Sequence, residues 1–250
     1  MHDDLGTELA IDRPVRRVVS LVPSLTEAIA ATRREALVGA TDWCTHPTDL
    51  DVPRVRGTKN PDRAAIEALA PDLVVANQEE NRELDVRRLR DAGVPVWVTR
   101  IETVDEALTS MRRLFDEAFG WGVPGWLEEA GRAWAEPVAA RGTVAVPIWR
   151  DPWMVVGPRT YTDDLLRRLG YANHFGADPD PDAEVDRYPR VELDRLDRAE
   201  IDLVLLPDEP YVFTADDGPE AFTSAPTRLV SGRLLTWYGP AMLEARRTLG

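Results

Sequence analysis

An α/β fold in two lobes is predicted by three features of the sequence. Short β-branched runs alternate with stretches of helical spacing, as parallel sheets covered on both faces require. The alternation occurs twice, and Leu69-Ala70-Pro71-Asp72-Leu73-Val74-Val75 has a counterpart in Arg198-Ala199-Glu200-Ile201-Asp202-Leu203-Val204-Leu205. A stretch with helical spacing and no strand signal separates the two copies. The expected architecture is two Rossmann-like lobes with parallel sheets, at 1–102 and 141–250, joined by a helical connector over 103–140.

In the first half, Val18-Val19-Ser20-Leu21-Val22 is a buried strand by composition, ended by Pro23. Ser24 with Glu27 three residues later reads as a capping box, which starts a helix through Ile29 and Ala31. A helix over 62–69 is stopped by Pro71, and 72–76 is the next strand. A third helix over 83–91 ends at Gly93, and 94–98 closes the half. Val104, Leu108, Met111 and Leu114 keep helical spacing in the connector, and a second helix follows Pro124 through Leu127 to Trp134. Pro137 should end or kink it. In the second half, 143–146 is a strand, 161–169 a helix stopped by Gly170, 193–199 another helix, and 201–206 a strand.

The 250 residues are 44% hydrophobic and 30% charged, which suits a chain with a real core. A net charge of -14 turns away nucleic acid and anionic membrane surfaces. Lys59 is the one lysine among 30 basic residues, and an ammonium does not substitute for a guanidinium at a tight site. A lone cysteine, Cys44, excludes an internal disulfide. The N-terminal residues carry acids and lack an apolar leader, so the cytoplasm is expected, or the far side of a membrane only if a leader has been removed. No apolar run reaches the roughly 20 residues of a membrane span.

Ligands of open α/β sheets sit beyond the carboxyl ends of the strands. Polar and aromatic clusters fall there, and six of them are expected to converge on one cleft between the lobes. Ser24 follows the first strand. Trp43, Cys44 and His46 lie in one turn, Lys59 in another, and Asn77, Glu79 and Glu80 follow the 72–76 strand. In the second half come Trp149, Arg150 and Trp153, then Glu209 and Tyr211, then Trp237 and Tyr238. Large flat side chains with polar tips suit a flat, partly polar ligand. Trp97, inside a strand, reads as core. Lys59 and Arg150 are the expected cleft cations, with Glu80 and Glu209 as their partners when no ligand is present. Cys44 and His46 are candidate metal ligands, but two ligands do not close a site, and a buried thiol with a satisfied histidine is the preferred reading. His46 could also offer an axial nitrogen to a metal already held in a chelate.

These pieces together resemble the helical-backbone metal-receptor superfamily, the class III substrate-binding proteins for cobalamin and ferric siderophores, over about residues 16–249. The resemblance rests on the strand-Pro23-Ser24-Leu25-Thr26-Glu27 opening, Trp43-Cys44-Thr45-His46-Pro47, Pro71-Asp72-Leu73-Val74-Val75 and the second-half clusters. Trp149-Arg150-Asp151-Pro152-Trp153-Met154, Glu209-Pro210-Tyr211 and Trp237-Tyr238-Gly239 are similar to a leaderless, cobalamin-binding-like branch. The resemblance implies a monomeric binding protein for a metal chelate, with no cofactor requirement and no membrane insertion. Transporter-linked members dock an ABC permease through one acidic residue per lobe, and Glu83 with Glu192 or Asp194 are the matching positions.

No Gly-x-Ser-x-Gly elbow, Gly-x-Gly-x-x-Gly turn or phosphate loop is present, so an enzyme is not expected. The alternatives are a chelate-processing enzyme that uses Glu80 and Glu209, and a scaffold that has lost its ligand. A receptor that sandwiches its ligand among Trp43, Trp149, Trp153, Tyr211 and Trp237 should lose binding in Trp149→Ala with Trp237→Ala while keeping its melting temperature.

Overall fold

The computed structural model describes residues 1–136, 138–177 and 184–250; Pro137, expected above to end a helix, lies outside the described residues. The chain folds into two compact units. The first comprises 1–101, 105–131 and 238–243, and the second 102–104, 132–237 and 244–250. Most of the segment expected as a connector, 105–131, thus packs within the first unit, as does the late segment 238–243.

The first unit is built from β1 (Val18–Ser20), α1 (Pro23–Arg33), β2 (Leu37–Ala40), a hairpin of β3 (Arg56–Gly57) and β4 (Asn60–Pro61), α2 (Arg63–Ala68), β5 (Leu73–Asn77), α3 (Glu83–Asp91) and β6 (Val96–Thr99). Its sheet is parallel throughout, in the order β2-β1-β5-β6. All five residues of β5 are buried, as a central strand covered on both faces demands. Val19, Leu21, Val74, Ala76, Val96 and Val98 pack there with Ile66 of α2 and with Val86 and Leu89 of α3. The helix α4 (Val104–Arg112) runs on into a π-helical stretch over Arg113–Ala118, and α5 (Gly125–Ala135) follows. Phe115 anchors this region, edge-on to both Phe119 and Trp126.

The second unit contains β7 (Gly142–Ala145), a hairpin of β8 (Pro147–Trp149) and β9 (Met154–Val155), α6 (Tyr161–Arg168), β10 (Tyr171–Asn173), α7 (Leu193–Leu196), β11 (Leu203–Pro207), β12 (Thr227–Val230) and α8 (Arg233–Thr236); α9 (Ala241–Leu249) closes the chain. The sheet order is β10-β7-β11-β12, again parallel. Counted by appearance, both sheets run second, first, third, fourth. The repeated grammar of the sequence is a repeated topology.

Two expectations about helix ends are corrected. Ser24 does not cap α1: Val22 is the N-cap, with no side-chain cap bond, and Pro23 takes the first helical position. A proline is suited to that place because its missing N–H would have had no partner there. The helix therefore begins two residues before the capping box would start it. The helix expected over 193–199 stops at Leu196. Asp197 leaves the helical region (ψ 65°) and turns its carboxylate to the N–H groups of Thr223, Ser224 and Ala225. By contrast, Asp62 caps α2 as the pattern suggests, accepting from the Ala65 N–H at 3.1 Å.

Candidate functional site

With strands in the order second, first, third, fourth, the connections leave the first and third strands toward opposite sides of the sheet, and a crevice opens beyond their carboxyl ends. In the first unit that switch point lies beyond β1 and β5, between the loop that enters Pro23-Ser24 and the loop Gln78-Glu79-Glu80. In the second it lies beyond β7 and β11, where the chain runs on into Trp149-Arg150 and Asp208-Glu209-Pro210-Tyr211. Each unit thus gathers sequence-predicted site residues at its own switch point.

In the first unit, Asn77 organises the loop after β5. Its Oδ1 accepts from the Glu79 and Glu80 N–H groups at 2.8 and 3.3 Å, and its Nδ2 donates to Thr99 Oγ1 at 3.2 Å. Asn81 accepts from the Asn77 N–H at 2.8 Å and donates to the carbonyls of Leu21 and Thr58. The Asn77 side chain is spent on holding Glu80 in place. Lys59, exposed at the tip of the β3–β4 hairpin, donates to the Glu79 carbonyl at 2.5 Å rather than to a carboxylate.

Ser24 and Tyr238 are both buried, and the tyrosine hydroxyl lies near the side chains of Ser24 and Thr99. Burial first, and then the Glu80 charge, push the Tyr238 hydroxyl well above its ordinary pKa, so it is a neutral donor. Trp43 is 65% exposed, with its indole lying over Gly57, where a Cβ would come within 3.3 Å of Nε1. His46, half-buried, keeps Nδ1 3.1 Å from Thr45 Oγ1.

Cys44 points inward. Its Sγ lies 3.0 Å from Thr26 Oγ1 and 3.1 Å from Thr41 Oγ1, and burial raises the thiol pKa against those hydrogen bonds. A protonated, enclosed thiol is a poor metal ligand. Among the described residues no three His, Cys, Asp or Glu side chains gather as a metal site would require.

The second unit carries a graded aromatic cluster. Trp149 is 45% exposed and meets Tyr211 edge-on, with ring centres 5.6 Å apart. Tyr211 tilts against Phe213 at 4.7 Å, and Phe213 stacks on Trp153 at 5.9 Å and 6°. Trp153, 8% exposed and also edge-on to Phe222, belongs to the core with Val155, Val204 and Leu206. The rings run from the hydrophobic centre to the surface, where Val212 is exposed as well. Trp237, 6% exposed, hydrogen-bonds Glu209. Burial first, then the neighbouring Asp208 charge, raise the Glu209 carboxyl above the usual range, while bonds from Trp237 and Thr236 oppose the shift.

Arg150 does not pair with Glu209. Its Nη1 bonds Asp217 and Glu220, and its Nε lies 3.8 Å from Asp151. Neither Asp217 nor Glu220 follows a strand of the sequence reading. The turn Asp216-Asp217-Gly218-Pro219-Glu220 could have drawn notice, since its glycine takes φ 125° and a Cβ there would fall 2.6 Å from the Phe213 ring.

Among the described residues no helix is long and apolar enough to cross a membrane. Glu83, at the start of α3, and Glu192 and Asp194, at the start of α7, are all exposed.

No family model matches the chain. A vitamin B12-binding protein of Pectobacterium carotovorum subsp. carotovorum (strain PC1) is 26% identical over 182 residues, 69% of this chain and 66% of that protein, so the match spans just under two thirds of the relative's length. Among solved structures, the periplasmic vitamin B12-binding protein BtuF of Vibrio cholerae superposes with a TM-score of 0.69 at 18% identity, over 94% of this chain and 95% of the other. The periplasmic heme-binding protein BhuT, in complex with two hemes, gives a TM-score of 0.76 at 24% identity, over 93% and 96%. At these identities the solved structures establish the fold, and they are binding proteins by name.

Proposed function

We propose that this chain is a class III substrate-binding protein that binds a single small metal chelate without transforming it, a corrinoid before a heme or a ferric siderophore. The observation that carries this reading is the Trp149–Tyr211 pair, with its exposed indole, at the switch point of the second unit. A half-exposed indole held edge-on by a second ring is pre-organised to cover a flat ligand at small entropic cost. Trp153, Trp237 and Glu209 are further candidate contacts in this unit. In the first unit, Trp43, His46, Lys59, Glu80, Ser24 and Tyr238 are the candidate contacts, and Asn77 acts through the loop it braces. The names of the relatives, vitamin B12-binding and heme-binding, support the ligand class.

The test is a titration of ligand-stripped protein with cyanocobalamin, cobinamide, heme and ferric siderophores, followed by tryptophan fluorescence and visible absorbance. Saturable one-to-one binding of a corrinoid is expected. Silence across the panel from demonstrably folded protein would refute the reading.

Glu83 with Glu192 or Asp194 are assigned, under the same proposal, as acidic contacts for an ABC permease approached by a monomer. Exposure at helix N-termini leaves these carboxylates available to a basic partner. Glu83→Arg combined with Glu192→Arg should abolish capture of a permease while leaving chelate affinity unchanged. Loss of both together would argue against separate docking residues.

A further inference from the structure

We infer that the strand-end face of the second unit selects a chelate rimmed by uncharged amides over one rimmed by carboxylates, because its arginine is already neutralised from within the unit. The inference rests on the chelate-binding reading and narrows its ligand class.

Arg150 directly follows Trp149 and is the obvious receptor for a ligand anion at this face. The geometry withdraws it. Nη1 bonds Asp217 Oδ1 and Glu220 Oε1 together, and the guanidinium carbon lies 5.5 Å from the centre of the Trp153 ring. The two carboxylates are themselves held from a second side. Asp217 Oδ2 accepts from the Tyr211 hydroxyl at 2.6 Å, and Glu220 Oε2 accepts from the Gly218 N–H at 2.5 Å. Asp151 adds a third carboxylate, 3.8 Å from Nε.

One guanidinium therefore faces three carboxylates, and the balance beside the Trp149–Tyr211 pair is negative. The Tyr211 hydroxyl and then Arg150 hold the Asp217 carboxyl below its ordinary range, and Arg150 first does the same for Glu220. Both are ionised at neutral pH. A ligand carboxylate arriving here would have to displace an intramolecular partner of Arg150 and would meet repulsion from those that remain. An amide rim meets neither obstacle, since its N–H groups can donate to the outer lone pairs of Asp217 and Glu220. Tyr211 belongs to both the aromatic surface and this ion cluster, so the same element that covers a flat ligand also sets the charge at its edge.

A matched pair of probes tests this. Dicyanocobinamide and dicyanocobyrinic acid share the ring and metal, and differ chiefly in carrying amides or carboxylates. The wild-type chain should bind the amide form at least about tenfold more tightly, the discrimination that a single unfavourable charge contact supports. Asp217→Asn with Glu220→Gln, which frees Arg150 while preserving shape, should narrow that ratio about fivefold or more by tightening the carboxylate form. The wild type alone provides a second reading, because raising salt from about 0.05 to about 0.5 M should also narrow the ratio by screening. Equal binding of the two corrins by the wild type overturns the inference and leaves the receptor reading standing. So does a ratio that narrows with salt but not in the variant, which would trace the preference to the overall charge of -14. If neither corrin binds, the receptor reading itself fails and the inference falls with it.

Discussion

Truncating Trp149 to alanine should separate binding from folding more cleanly than any other change to the aromatic cluster. The indole is 45% exposed, so on a side chain of about 250 Å² roughly 110 Å² remains for a ligand to cover. At about 25 cal/mol per Å², covering all of it contributes roughly 2.8 kcal/mol, or about a hundredfold in Kd. Folding is affected too: scaled from the about 3–5 kcal/mol of a fully buried Trp→Ala change, the covered half of this side chain, with its edge-on contact to Tyr211, is worth roughly 2 kcal/mol. For a chain of this length that lowers Tm by about 4–8 °C, at about 2–4 °C per kcal/mol. Trp153→Ala is the opposite case. That ring is 8% exposed and stacked on Phe213, so its loss should cost about 3–5 kcal/mol of stability. Trp237 is 6% exposed and bonded to Glu209, so pairing its truncation with that of Trp149 would mix the two effects. Fluorescence titration with cyanocobalamin and thermal denaturation of the same samples provide both numbers. A folded Trp149→Ala protein whose Kd stays within about threefold of wild type would refute the assignment of this surface.

Asp197→Asn should destabilise the protein at neutral pH, with the difference shrinking as acid is added. Some desolvation opposes it, but the Ala225, Thr223 and Ser224 donors hold the Asp197 carboxyl far below its ordinary range. Stability from a depressed carboxyl is present above its unfolded pKa and is lost as pH falls through the folded one, so melting curves of both proteins from neutral pH downward check the sign. Glu209→Gln should do the reverse. Burial raises this carboxyl, so its contribution to stability is full below the unfolded pKa and declines as pH rises through the folded value; the variant should match wild type in acid and melt higher at neutral pH. Cys44 should resist a water-soluble disulfide reagent in the native protein and react at once on unfolding, since its thiol is buried between Thr26 and Thr41. Rapid native labelling would show that the turn around Trp43 opens.

The strands and helices legible in the sequence were those whose signal is local. Val18, Val19, Val74 and Val75 announce β1 and β5 because central parallel strands are buried on both faces, and Gly93 marks the end of α3 by its positive φ of 82°. The strands β2, β10 and β12 lack that signal. Leu37-Val38-Gly39-Ala40 is interrupted by a glycine, Tyr171-Ala172-Asn173 is three residues long, and Thr227–Val230 has no buried residue. They are strands because a neighbour supplies the ladder. The start of α1 was misjudged because Ser24 and Glu27 fit a capping pattern, while Pro23 fits the first helical position better.

The candidate site was legible to the extent that it follows strand ends. Trp149, Arg150, Glu209 and Tyr211 could be singled out because they follow strands beyond whose ends a sheet of this order opens its crevice. The partners Asp217 and Glu220 were not found, because a turn on the far side of Tyr211 delivers them and only the folded chain brings that turn to Arg150. Burial was equally out of reach. Trp149 and Trp153 are four residues apart and similar in sequence setting, yet one faces solvent and the other sits in the core.

The segment 238–243 has a bearing on how the molecule is made. It is counted with the first unit, where Tyr238 lies near Ser24 and Gly239 lies against Ala28 and Met111, at a φ of 118° that admits no other residue easily. During synthesis the sheet of that unit emerges long before this piece does. A ribosome that has translated residues 1–131 has therefore delivered a sheet whose last filling is still to come, with Ser24 and Thr99 lacking the ring that will lie beside them. The first unit to be translated is completed only after nearly all of the second has been made, so neither can be isolated by a single cut without leaving a hole in the other.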